Sequence, residues 1–134
     1  MPAEFAVTVY ETLMRTGRLT RAGHHAIEAM RIEKGYRAWG ARHALETPSR
    51  KVVSIVLDDP AAHLWGGESL LAEGVPVGHV TSAAHSPTLG RAVALGLVAA
   101  TAPDKVEVDV AGDLYSAQIS PKAPYDPTSA RVKS

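Results

Sequence analysis

The sequence predicts an α+β fold that is mainly β: an N-terminal helical hairpin followed by a small antiparallel β-barrel of about six strands. Three observations predict it. Apolar residues recur at helical spacing through the first third of the chain. From Lys51 the pattern changes to β-branched runs and strict alternation. Turn signals then close each short run, with no helix-period segment between strands, which favours a barrel or sandwich over a βαβ sheet.

Residues 4–16 read as a helix, because Phe5, Val9 and Leu13 fall at i, i+4 and i+8 with Ala6, Tyr10 and Met14 beside them. Gly17 is its stop. Thr20 is placed to cap a second helix over roughly 22–34, whose buried face would be Ala22, Ala26, Ile27 and Met30, and Gly35 ends it. Residues 35–50 read as irregular chain or a short helical turn, up to the boundary Thr47-Pro48-Ser49. The run from Val52 to Leu57 is a strand closed by Asp58-Asp59-Pro60. The stretch HLWGGESLL leads to a short strand at 69–72, and Glu73-Gly74 turns it into a long strand over roughly 76–85. On that strand, alternation puts His79, Thr81, Ala83 and His85 on one face, with Val80 and Ser82 on the other. Ser86-Pro87 breaks the strand, and Leu89 to Ala99 reads as the next one, although its alanines could also read as helix. Val106, Val108 and Val110 alternate with Glu107 and Asp109, and Ala111-Gly112-Asp113 turns this strand back into 114–120. The tail after Ser120 carries three prolines and is expected to lie extended on the surface. Residues 1–47 are expected to form a helical segment and 48–134 the barrel domain.

Composition narrows the function classes. Apolar residues make up 46% of the chain with one Phe, two Trp and four Tyr, so the core must be aliphatic. Fourteen basic residues balance fourteen acidic ones, which supplies no long-range attraction to nucleic acid or anionic membrane and favours a homo-oligomer or a stable partner. The absence of cysteine rules out disulfides, thiolate metal sites and a Cys nucleophile, and points to the cytoplasm. The start, Met1-Pro2-Ala3-Glu4-Phe5, has no signal-peptide pattern, and no apolar run reaches membrane-spanning length.

Three stretches carry a family resemblance: PAEFAVTVYETLM with AGHHAIEAMRIEKGYRAWG; VVSIVLDDP, LWGGESLL and VPVGHVTSAAHSPTLGRAVALGLV; and KAPYDPTSARVK. In this order the chain resembles the C-terminal part of the glycine-cleavage T-protein family of folate-dependent aminomethyltransferases. RIEKGYRAWG and APYDP lean toward its dimethylglycine and sarcosine dehydrogenase branch. The resemblance implies a tetrahydrofolate-linked one-carbon module in which Glu33 reads the pterin, a carboxylate being able to accept two parallel hydrogen bonds from the ring's amine and N–H. Read without the family, Glu33 is a solvated helix residue or a partner of Arg31 or Arg37. The resemblance also implies two losses. The N-terminal half, with the catalytic aspartate, has no counterpart. Only Ala41 to Arg50 stands where relatives carry a longer segment, including an arginine for the cofactor's glutamyl tail. The module is therefore expected to be incomplete, with a partner chain supplying the rest. The alternative is a non-catalytic remnant or interaction domain that packs on another polypeptide through its barrel.

Other constellations have plainer readings. His24 and Glu28 share a helix face beside His25, but no third ligand is evident, so no metal site is expected. His79, Ser82, His85 and Ser86 include triad residue types without a nucleophile elbow, and read as ordinary sheet residues. The glycines of LWGGESLL and VPVG serve turns and bulges. Trp39 and Trp65 read as packing anchors. Arg37, Arg42, Arg50, Lys51 and Arg91 could approach a polyglutamyl tail but read as a solvated face.

Overall fold

The computed structural model describes residues 3–36 and 49–131. After a 3-10 turn at Ala3–Phe5 come helices α1, Ala6–Arg15, and α2, His24–Glu33. Six strands follow: β1 Arg50–Leu57, β2 Ser69–Ala72, β3 Val75–Ser86, β4 Arg91–Ala99, β5 Lys105–Val110 and β6 Asp113–Ser120. They close into an antiparallel barrel in the order β1-β4-β3-β2-β5-β6. The architecture is the one expected: two helices, then a closed six-stranded barrel.

Two tight hairpins set the register. Glu73-Gly74 joins the Ala72↔Val75 pair and Ala111-Gly112 joins Val110↔Asp113, all four turn residues having positive φ as a two-residue hairpin of this twist requires. The barrel interior is filled by Val53, Ile55, Leu57, Leu70, Val80, Val98, Val108 and Ile119, with the small residues Ala92, Ala94 and Ala117 between them. Every buried apolar residue described is Ala, Val, Leu or Ile, as the composition predicts. Gly96 shows how tight the filling is: a Cβ there would stand 2.6 Å from Ile55 Cδ1.

A second cluster lies on the outside of the wall, where Ile32 of α2 packs with Val93 and Leu95 of β4, flanked by Val56, Ala84 and Leu89. The buried residues of α2 are Ala29, Ile32 and Glu33, while Ala22, Ala26, Ile27 and Met30, the expected buried face, are exposed. Periodicity identified the helix but not which side meets the wall, because the last turn, not the first, does the packing. Thr20 does not cap it either: the helix starts after Gly23 with no side-chain cap. Its C-terminus closes in a Schellman motif, with Gly35 N–H on Ile32 O and Tyr36 N–H on Arg31 O, both 2.9 Å, and Gly35 at φ 65°.

Three further expectations change. The pairing on β3 shifts between Val80 and Ser82, so Thr81 forms a bulge. Val80 and Ala83 therefore both meet the inner core while Ala84 meets the outer cluster, and the single alternating face through His79, Thr81, Ala83 and His85 does not form. Trp65 is not a packing anchor but is 87% exposed. Its loop is held by the Glu68 carboxylate, which accepts the N–H groups of Trp65 (2.6 Å) and Gly66 (2.9 Å), and the ring is left outside. Trp39, Arg37 and Arg42 lie outside the described residues. The tail stays at the surface but is bent and anchored rather than extended: Tyr125 N–H binds Glu33 O at 3.0 Å, and Asp126 takes Lys34 Nζ at 2.8 Å.

Candidate functional site

Glu33 ends α2 at the point where the helix meets the wall, and it is the only buried acidic residue among those described. Ala29, four residues earlier on the same helix face, is also buried, so Glu33 lies on the side of α2 that meets the barrel. There the β3–β4 turn presents donors. Ser86, which is 0% exposed, donates its hydroxyl to Glu33 Oε1. Thr88 N–H reaches the same oxygen at 3.4 Å, and Thr88 Oγ1 approaches Oε2 at 3.4 Å. Ser86 Oγ in turn accepts Leu89 N–H at 3.0 Å, which rigidifies the turn.

The arrangement bears on the pterin reading. A carboxylate oxygen has about two lone-pair sites. Ser86 takes one site on Oε1, and the two Thr88 contacts, at 3.4 Å, are at the edge of hydrogen-bond geometry. With Glu33 6% exposed, little of the carboxylate is open to a ligand as the side chain stands. Ser86 and Thr88 as its partners were not legible in the sequence. The Ser-Pro-Thr strand break was visible, but nothing tied it to a helix more than fifty residues earlier.

Around Glu33 the tail forms a clamp. Besides Lys34, Asp126 accepts Ala130 N–H at 2.9 Å on its other oxygen. The Lys34 ammonium hydrogen-bonded to Asp126 holds its carboxyl below the ordinary value of 3.8. A cavity of about 460 Å³ opens beside this clamp, lined by Ser54, Asp58, Arg91, Gln118 and Lys122 among others.

The remaining sequence candidates are dispersed. Glu28 turns to its own helix, where Arg31 Nη2 binds it at 2.6 Å and draws its carboxyl below 4.5. His24 and His25 meet only edge to face, at 6.2 Å, and no cluster of three or more metal-ligating side chains occurs among the described residues. His85 stacks with His63 at 6.4 Å, and Ser86 is committed to Glu33, so no triad assembles on β3. Lys51 Nζ rests on Ala102 O at 3.4 Å and Arg91 Nη1 on Leu57 O at 3.4 Å, while Arg50 is exposed where β1 begins. Asp59 Oδ1 takes Ala61 N–H at 2.8 Å, the turn that ends β1. No described helix is long and apolar enough to cross a membrane.

The fold and this junction define a class of protein: a C-terminal barrel of the aminomethyltransferase type carrying the helix before it. Residues 50–126 match the family model described as the glycine cleavage T-protein C-terminal barrel domain, and the chain belongs to that family. The chain is 30% identical to 4-methylaminobutanoate oxidase (formaldehyde-forming) of Paenarthrobacter nicotinovorans over 171 residues, covering 98% of this chain and 20% of the oxidase. It is 34% identical to the aminomethyltransferase of Deinococcus deserti over 142 residues, covering 86% and 39%. It is 26% identical to mitochondrial sarcosine dehydrogenase of Mus musculus, covering 99% and 19%. The chain thus spans between about a fifth and two fifths of these relatives. The crystal structure of the glycine cleavage system aminomethyltransferase T from Bartonella henselae superposes with a TM-score of 0.76 at 20% identity, over 92% of this chain and 44% of that one, and shares the fold.

Proposed function

We propose that this chain is the closing module of a tetrahydrofolate-linked aminomethyl-transfer assembly, incomplete and inactive alone. The observation that carries the reading is family membership of the barrel together with a buried carboxylate on the helix joined to it. An internal loss is supported by alignment length: similarity to the oxidase runs over 171 positions although this chain has 134 residues, so the relative carries residues that have no counterpart here. Glu33 is the proposed pterin-reading residue. The chain spans a fifth to two fifths of its relatives, so acid-base chemistry is assigned to the part of the fold beyond the matched residues. The cysteine-free composition favours a cytoplasmic setting.

The test is calorimetric titration of the chain with 5-formyltetrahydrofolate, compared with Glu33→Gln, which keeps an oxygen for Ser86. Heat that disappears in the variant supports the module. No heat at high micromolar ligand ends the case for folate binding by the isolated chain.

One observation favours a second reading, that of a non-catalytic interaction domain. Ser86 and Thr88 already engage both carboxylate oxygens of Glu33, which suits a structural latch. On that reading Glu33→Gln alters stability and leaves any folate heat unchanged.

A further inference from the structure

Ser54, Val56 and Asp58 alternate onto the outer face of β1, because Val53, Ile55 and Leu57 take the inner one. That outer face is the floor of the cavity of about 460 Å³, and all of its walls come from β1, β6, the start of β4 and the segment after β6. The volume lies within the range of small-molecule sites, about 300–1,000 Å³. Glu33 does not line it.

Ser54 is 5% exposed and, among the described residues, its hydroxyl has no hydrogen-bond partner. No side-chain polar atom sealed from the surface is left unpaired among those residues, so this hydroxyl opens into the cavity it lines. A side chain so deeply set ordinarily has its polar atom paired. Arg91 and Lys122 are the cations of the lining, and neither forms an ion pair among the described residues. Arg91 spends Nη1 on Leu57 O at 3.4 Å, at the edge of hydrogen-bond geometry, and keeps Nε and Nη2. Asp58 is the acid of the lining, and its Oδ1 accepts Gln118 Nε2 at 3.4 Å. Two cations against one carboxylate leave the lining net positive. Its two ends differ. The Ser54↔Ser120 pair places Lys122, two residues on, at the Ser54 end, and the contact with Leu57 places Arg91 at the Asp58 end. Four strand residues, about 13 Å, separate Ser54 from Asp58. Val56 lies between them, with Leu89 beside it in the outer cluster.

We propose that this cavity binds a small organic monoanion: a carboxylate joined by a short apolar chain to a neutral oxygen. Arg91 offers the carboxylate a planar pair of N–H donors. Val56 and Leu89 take the chain. The Ser54 hydroxyl and the Lys122 ammonium hold the far oxygen, and Asp58 selects against a second negative charge. The proposal involves neither Glu33 nor folate.

The test is titration of the full chain with 6-hydroxyhexanoate, followed by amide chemical shifts in nitrogen-15 nuclear magnetic resonance. Saturable shifts on β1, β6 and residues 122–124 are expected, with an affinity on the order of 1 mM. Hexanoate, which lacks the far oxygen, should bind about 3-fold more weakly or worse, and 1,6-hexanediol, which lacks the charge, should not saturate. Arg91→Gln should weaken binding by roughly 10-fold. Ser54→Ala should bind 6-hydroxyhexanoate and hexanoate equally well with an unchanged urea midpoint, because its hydroxyl has no partner in the protein to lose. Absence of a saturable shift overturns the proposal. So does equal binding of the diol or of inorganic phosphate at the same amides, or a Ser54→Ala variant that still tells the two acids apart.

Discussion

Replacing Glu33 by Ala should cost about 3 kcal/mol of folding stability, and the structure says how that figure divides. The bond from Ser86 Oγ is charge-assisted, a class worth about 1.5–3 kcal/mol. The two Thr88 contacts, at 3.4 Å, are at the edge of hydrogen-bond geometry and add little. Loss of the carboxylate also leaves the Ser86 hydroxyl, 0% exposed, without an acceptor, a penalty of about 1–3 kcal/mol that partial relaxation reduces. Ser86→Ala should cost about 2 kcal/mol, because it removes the same bond and the acceptor for Leu89 N–H. Thr88→Val should cost under about 0.5 kcal/mol. Urea unfolding followed by far-ultraviolet circular dichroism measures all three and the Glu33/Ser86 double variant. The two single losses should fall short of additivity by about 1.5 kcal/mol or more, as expected for one shared bond. Additive losses, or a Glu33→Ala cost below about 0.5 kcal/mol, would refute the latch.

Gly35 and Gly17 share φ 65°, but a Cβ on Gly35 meets Ala123 Cα at 3.3 Å whereas Gly17 faces open space. Gly35→Ala should therefore lower global stability by about 2 kcal/mol, while Gly17→Ala leaves the urea midpoint unchanged because α1 is not packed; equal effects would contradict the tail clamp. Gly78→Ala places a Cβ 2.3 Å from Leu97 O, a backbone atom that cannot yield without opening the β3–β4 ladder, so it should abolish folding as judged by circular dichroism. Asp126 is held below its ordinary value by Lys34, so its contribution is complete above about pH 3.8 and is lost as pH falls through the depressed folded value. Thermal midpoints of the chain and of Asp126→Asn should differ near neutral pH and converge in strong acid; a constant difference would contradict the assignment.

Strands were legible in the sequence because each carries its own evidence. The Val106–Val110 alternation and the two glycine turns determine register locally, and β2 falls on the expected residues. Packing partners were not legible, because they depend on which segments closure brings together. Ile27 and Met30 look as buried as Ile32 by composition, and the face that meets the wall is set by partners far along the chain, the outer cluster and the Ser86 donor among them. The Thr81 bulge is similarly silent: an extra residue in one strand leaves no mark until its neighbour is known. Trp65 was misread as an anchor because ring size says nothing of direction, which the Glu68 carboxylate sets.

The two helices differ in a way that bears on function. The last turn of α2 is fixed at four points: Ile32 in the outer cluster, the Glu33 carboxylate on Ser86, the Glu33 carbonyl on Tyr125, and Lys34 on Asp126. These links run to β3, β4 and the tail, segments far apart in the chain, so the end of α2 moves only with the barrel. A ligand-reading carboxylate has to be held still by its surroundings, and Glu33 meets that condition. The same burial leaves little of the carboxylate open, with Glu33 6% exposed. Helix α1 has no buried residue, and Phe5, Val9 and Leu13 on it are exposed.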